Sequence, residues 1–339
     1  MYTGLIAGML LAFVMKRSRL CFAGGLRDIY FKRKLAGLAI LFIVFALQGA
    51  IFFSLAKAGI VPGPKDDVTF SLTATMVGAF IFGFGAILAN GCTVSMLMKV
   101  GDGRFNGVVG LLSFFIFVLA SKNGLFTEFI KKWQKQHLIS DNYGANYFNF
   151  FWLFYLLLGV VAVILVVRAL KNTPKPKYSL PARYTGIKHI LLEKNWHKYV
   201  AALIIGVAAG LSFYLSHIAG RTGSWGITTP TYSWINAFTT TEPKLSWASF
   251  FVLGIVVGAF LTALVSGELS LKVGNAQSVA RQVIGGALMA FGAVLAKGCL
   301  VGFGMTGLAQ ASLQSLIGII FITFGLWFGA WFVYKRTYN

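Results

Sequence analysis

Three cysteines carry the chemistry that stands out in this 339-residue chain: Cys21, Cys92 and Cys299. They occur as Arg19-Leu-Cys21-Phe-Ala-Gly24, Asn90-Gly91-Cys92 and Lys297-Gly298-Cys299. Their odd number, wide spacing and lack of a CxxC pair argue against a disulfide framework, so free thiols are expected. A buried, apolar setting keeps a thiol in its neutral S–H form, a weak and soft donor, whereas a thiolate would repel an anion. Neutral thiols along a dry constriction can donate to the soft sulfur of an anion, each weakly enough to release it again, as conduction requires. Any single cysteine could equally be a small buried hydrophobe. The placement of all three at Gly-flanked breaks favours the path.

Composition defines the elements that must hold these thiols. The chain is 57% hydrophobic and 12% charged, with a mean hydropathy of +0.76. A soluble domain of this length could not hide so much apolar surface, so the solvent is lipid. A hydrocarbon core about 30 Å thick needs roughly 20 apolar residues per straight span. Nine candidate spans emerge: Tyr2–Met15, Leu35–Ala56, Leu72–Asn90, Phe105–Ala120, Tyr147–Val167, Tyr199–Ser216, Trp247–Ser266, Arg281–Ala296 and Ser312–Tyr334. The first, fourth and eighth are too short to cross alone, as broken or re-entrant segments are, and such backbone is tolerated only where it is buried or lines a cavity. The expected fold is an all-α integral membrane protein of about nine spans with short re-entrant helices.

The formal charge of +21 lies in short loops between apolar runs. No soluble domain presents it to nucleic acid, so it reads as a topology signal. With the N-terminus outside and the C-terminus cytoplasmic, 21 Lys and Arg face inward and eight outward, with Lys297 inside the membrane. A multi-pass plasma (inner) membrane protein is expected. The run Tyr2–Met15, followed at once by Lys16, Arg17 and Arg19, lacks a basic n-region and a cleavage site, and reads as a retained helix. Trp152, Trp196, Trp247, Trp327 and Trp331 fall near span ends as interface anchors. Leu125–Leu138 has the pattern of an amphipathic helix on the outer surface, and Asn172–Trp196, with three prolines, that of an inner linker.

One repeat decides the architecture. Phe84-Gly-Ala-Ile-Leu-Ala-Asn-Gly-Cys92 returns as Phe291-Gly-Ala-Val-Leu-Ala-Lys-Gly-Cys299, identical at seven of nine places. A weaker echo aligns Arg19–Gly24 with Arg221–Gly226, where Gly223 answers Cys21. The two Gly-Cys endings follow spans three and eight, five crossings apart, which places them on opposite faces. Two inverted-topology repeats in a 4+1+4 arrangement around a central constriction follow, with residues 1–121 as the first repeat and 199–339 as the second. Residues 122–198 hold the surface helix, fifth span and inner linker. Gly91 and Gly298 would open the turns that present Cys92 and Cys299. A Lys near mid-membrane costs about 3 kcal/mol, so Lys297 either snorkels or serves an anion path. Arg19 and Arg221 either attract anions to the two vestibules or, for Arg19, mark the inner face.

These motifs, set in paired halves along nearly the whole chain, resemble the YeeE/YedE membrane proteins. The resemblance implies an hourglass-shaped transporter that takes up thiosulfate or a related sulfur-containing anion. It implies Cys92 at the constriction and Cys21 and Cys299 as flanking relay thiols. It also implies delivery to a small cytosolic sulfur carrier of the TusA-like kind. Some family branches are linked to selenium, which leaves a selenium-containing species as an alternative substrate. The chain has no GxxxxGK[ST] motif, so it does not itself hydrolyse ATP, and neither a cofactor nor a metal-ligand set is expected. A transporter rather than an enzyme is expected. The rival readings are a membrane thiol or persulfide oxidoreductase and a purely structural membrane subunit.

Overall fold

The computed structural model describes residues 1–32, 35–64, 69–141, 148–171, 195–239 and 245–335. Apart from Asn195 and Trp196, the expected inner linker lies outside these residues. In hydrocarbon every backbone N–H and C=O must be paired within its own segment, so the apolar runs fold as helices. In chain order they are α1 (Tyr2–Ser18), α2 (Phe22–Lys32), α3 (Ala36–Lys57), α4 (Leu72–Leu88), α5 (Thr93–Gly101), α6 (Phe105–Asn123) and α7 (Thr127–Gln134). Then follow α8 (Phe148–Lys171), α9 (Lys198–Ile218), α10 (Thr228–Thr239), α11 (Trp247–Ser266), α12 (Ala276–Leu295) and α13 (Leu313–Ala330). A π-helical turn, Gly302–Gly307, precedes α13. Two short strands, β1 (Thr69–Ser71) and β2 (Leu138–Ser140), pair antiparallel. Among the described residues eight helical stretches are long and apolar enough to cross a membrane, one of them running through both α4 and α5. The ninth expected span is the 17-residue α1. The chain is an all-α, multi-pass membrane protein.

The three spans expected to be short are longer in the structure. α1, α6 and α12 have 17, 19 and 20 residues, because their polar ends find partners on other helices. Lys16 Nζ lies 2.6 Å from Asp102 Oδ1. At the start of α12, Ser278 Oγ accepts from Asn106 Nδ2 at 2.7 Å, and Ser113 Oγ donates to the Val283 carbonyl at 2.7 Å. The breaks fall between helices instead, at Arg19–Cys21, Asn90–Cys92 and Lys297–Cys299. Two further expectations change. Trp247 is a core residue rather than an interface anchor: it is buried, and its indole N–H donates to Thr3 Oγ1 at 2.9 Å. The surface helix is shorter than expected and docks on the bundle, with Phe126 and Phe129 against Phe291 and Gln134 capping the end of α12.

The packing repeats between the halves. α1 packs on α11 as α9 packs on α3; α4 packs on α13 as α12 packs on α6. Likewise α2 touches α3 and α13, while α10 touches α11 and α6. Exchanging the two sets of helices turns each contact into another observed one. The contact of α4 with α12 maps onto itself. These two helices run antiparallel, Gly78 approaching Gly292 and Gly85 approaching Gly285. A Cβ on Gly285 would fall 2.7 Å from the Gly85 carbonyl oxygen, so the crossing requires glycine there. α8 packs on α3 and leaves most of its length exposed, outside this exchange.

Candidate functional site

Helix-ending chemistry positions the thiols. The Asn90 N–H bonds to the Ile87 carbonyl and the Gly91 N–H to the Ala86 carbonyl, a Schellman ending with Asn90 left-handed at φ 51°. Lys297 and Gly298 repeat it on Val294 and Ala293, with Lys297 at φ 56°. The two glycines then differ. Gly91 has φ 143°, a conformation that only glycine adopts cheaply. Gly298 is not left-handed; a Cβ there would collide with the Phe303 ring at 2.5 Å. α1 ends the same way with Arg19 left-handed, but in α9 that place belongs to Gly220, with Arg221 one step beyond. The echo of Arg19 in Arg221 is thus displaced by one residue at the cap.

The first break forms a compact cluster. Cys92 is fully buried at the N-terminus of α5, and its Sγ lies 4.0 Å from Ser95 Oγ one turn on. Cys21, half-buried after α1, places its Sγ 3.4 Å from the same hydroxyl and accepts from the Gly24 N–H at 3.4 Å. Ser95 therefore links two free thiols that lie far apart in sequence. Lys99, a further turn along α5, donates to the carbonyls of Ala89 and Asn90 at 3.1 and 2.9 Å. Asp102, which closes α5, is held by Lys16 from α1. Arg19 is exposed at its cap.

The second break opens on a cavity of about 630 Å³. Cys299, Gly298, Lys297 and Arg221 line it, together with Trp225 and Thr306. Cys299 is 2% exposed and accepts from the Gly302 N–H at 3.4 Å. Lys297 is exposed. Arg221 Nη1 donates to the Ser224 carbonyl, and Lys122 Nζ sits 4.3 Å over the Tyr232 ring. The acid on this cavity, Asp141, accepts from Ser312 Oγ and the Leu313 and Gln314 N–H groups at 2.6, 2.9 and 3.2 Å. It is committed to the positive end of α13, so the basic groups dominate the field. The unpartnered, buried hydroxyls of Ser121 and Thr228 add donors to the wall.

The expected residues thus divide into Cys21, Gly91 and Cys92 at one break and Arg221, Lys297, Gly298 and Cys299 at the other. Ser95, Lys99, Asp141 and Thr306 join them unforeseen. Only Ser95 had a local signal, lying three positions after Cys92 on one helical face. Among the described residues no group of three His, Cys, Asp or Glu side chains could hold a metal ion.

Fold and site define a class: a polytopic helical membrane protein whose helix breaks carry free thiols beside fixed positive charge. Residues 17–328 match the family described as Sulphur transport, and the chain belongs to that family, the YeeE/YedE membrane proteins. It is 35% identical over 336 residues to the thiosulfate transporter TsuA of Escherichia coli K12, covering 98% of this chain and 95% of that protein. It is 30% identical over 345 residues, 99% of each chain, to the thiosulfate transporter TsuA of Spirochaeta thermophila. A shorter stretch of 82 residues, 24% of this chain, is 35% identical to 20% of the probable transporter YedE of Escherichia coli K12.

Proposed function

We propose that this chain takes up thiosulfate through a waist lined by Cys299, Cys92 and Cys21, and performs no covalent chemistry on it. The observation that carries the reading is the pair of free thiols, Cys21 and Cys92, joined through the Ser95 hydroxyl at the end of a broken helix. The near full-length likeness to two proteins named thiosulfate transporters supports the substrate. Arg221 and Lys297 attract the dianion into the cavity, where Cys299 meets its terminal sulfur. Weak S–H contacts then pass it to Cys92 and on to Cys21, since a site that held it tightly would stop the flow. Uncharged thiols suit this task because they donate without repelling.

On this reading residues 1–121 and 199–339 are inverted repeats, supported by the exchangeable packing and the antiparallel α4–α12 crossing. The cavity at Cys299 faces outward and the Cys21 cluster inward, with the N-terminus outside and the C-terminus in the cytoplasm of a bacterial inner membrane. A TusA-like sulfur carrier on the inner face would trap the product and pull transport forward.

Uptake of labelled thiosulfate, selenite and sulfate into liposomes holding only this chain tests the proposal. Thiosulfate should accumulate in preference to sulfate, and Cys92→Ala should abolish uptake while the purified protein stays monodisperse. Undiminished uptake by Cys92→Ala would remove the relay. A disulfide or persulfide required in every turnover, seen by intact mass, would replace the transporter with a thiol enzyme.

A further inference from the structure

By its place in the chain Lys99 is one of many inner-face basic residues, yet the structure turns its ammonium back to the break that carries Cys92. A Cβ added to Gly91 would lie 3.0 Å from Ser95 Oγ and 4.0 Å from Lys99 Nζ, so hydroxyl and ammonium flank one point. The same hydroxyl lies 3.4 Å from Cys21 Sγ and 4.0 Å from Cys92 Sγ, which sets both thiols beside that point. Among the described residues Lys99 makes no ion pair, Asp102 being engaged by Lys16.

Lys99 caps the carbonyls of Ala89 and Asn90, but capping does not require a cation. At the matching end of α12, Gln134 donates to the carbonyls of Val294 and Leu295 at 2.9 and 3.2 Å, and Gln314 to that of Ala296 at 3.0 Å. Neutral amides suffice there. The repeat partner of Lys99 is Thr306, which donates to the Trp225 carbonyl, and the lysine of that break is Lys297 instead. Each break thus keeps one lysine, supplied from a different position. Of the three N–H donors on Lys99 two are used, which leaves one for a ligand.

We propose that Lys99, Ser95 and Cys21 form a second binding subsite for a small divalent anion, distinct from the cavity at Cys299. Lys99 supplies the counter-charge there. The inference rests on reading the chain as an anion path. A dianion leaving Cys92 has shed water and meets only weak donors, so a fixed cation offsets part of its desolvation.

The test uses the full chain with Cys21 as its sole thiol (Cys92→Ala, Cys299→Ala). Modification by an anionic and a cationic methanethiosulfonate reagent is followed by intact mass. The ratio of the two rates cancels the thiol's own reactivity and reads the local field. Lys99→Gln and Lys99→Met should each lower the anionic-to-cationic ratio about tenfold, and Lys99→Arg should preserve it. An unchanged ratio in both neutral variants overturns the subsite, as does an equal fall in Lys99→Arg, which would mark a purely structural cap. Thiosulfate uptake by the unaltered chain is measured alongside. Failure of that uptake strikes the transport reading, whereas uptake with an unchanged ratio strikes Lys99 alone.

Discussion

On the proposed path, Ser95 and Lys297 divide the work of moving a dianion between a neutral hydroxyl and a fixed charge. Ser95 Oγ stands 3.4 Å from one thiol and 4.0 Å from the other, where a hydroxyl can accept from one S–H while donating onward. Ser95→Ala removes one neutral hydrogen bond, on the order of 1 kcal/mol, so thiosulfate uptake in liposomes should slow about fivefold with the fold intact. Unaltered uptake would reduce the hydroxyl to packing. Lys297 is exposed on the cavity wall, so the proposal has it act at longer range. Lys297→Gln should raise the thiosulfate concentration for half-maximal uptake. That effect should fade between 0.1 M and 1 M salt as the Debye length falls from about 10 Å to about 3 Å. An effect independent of salt would argue for direct contact rather than attraction.

At the scale of elements, the proposed path makes the break between α4 and α5 its working part. The Schellman ending turns the chain at Asn90, Gly91 takes φ 143°, and α5 restarts with Cys92 as its N-cap. Gly91→Ala forces a Cβ to within 2.6 Å of Ser95 Cβ and strains the backbone by about 1–3 kcal/mol. Uptake should be lost and thermal unfolding in detergent should come earlier. Gly59, also left-handed at φ 71° but with nothing within 4 Å, is the control. Gly59→Ala should cost stability without stopping uptake, and a transport defect there would show that global stability alone governs the Gly91 result. The antiparallel crossing of α4 and α12 has its own requirement. Gly285→Val brings side-chain atoms onto the Ala89 N–H, 2.5 Å from the first added carbon, and onto the Gly85 carbonyl. The bundle should separate there, seen as loss of the monodisperse species in gel filtration.

Across the whole molecule, the lipid setting, the long apolar helices and the three thiol-bearing breaks were legible from the chain. Hydropathy and a Gly-Cys ending act over a few residues, so they read directly. Helix ends were not legible: Lys16 and Ser278 stay inside helices because Asp102 and Asn106 receive them, and a hydropathy window cuts them off. Trp247 resembled an anchor until Thr3 took its N–H. Lys99 could not be told from the other inner-face cations, since what sets it apart is the pair of carbonyls it reaches.

One-dimensional patterning therefore decided the solvent, the class of fold and the repeated motif, because each depends on local composition and on backbone groups that must pair within their own segment. The tertiary structure alone decided which groups meet. Ser95 reaches Cys21 across 74 positions, and Asp141 caps Leu313 across 172. Such contacts depend on how the helices cross, and the crossings depend on backbones that can approach only where glycine leaves room.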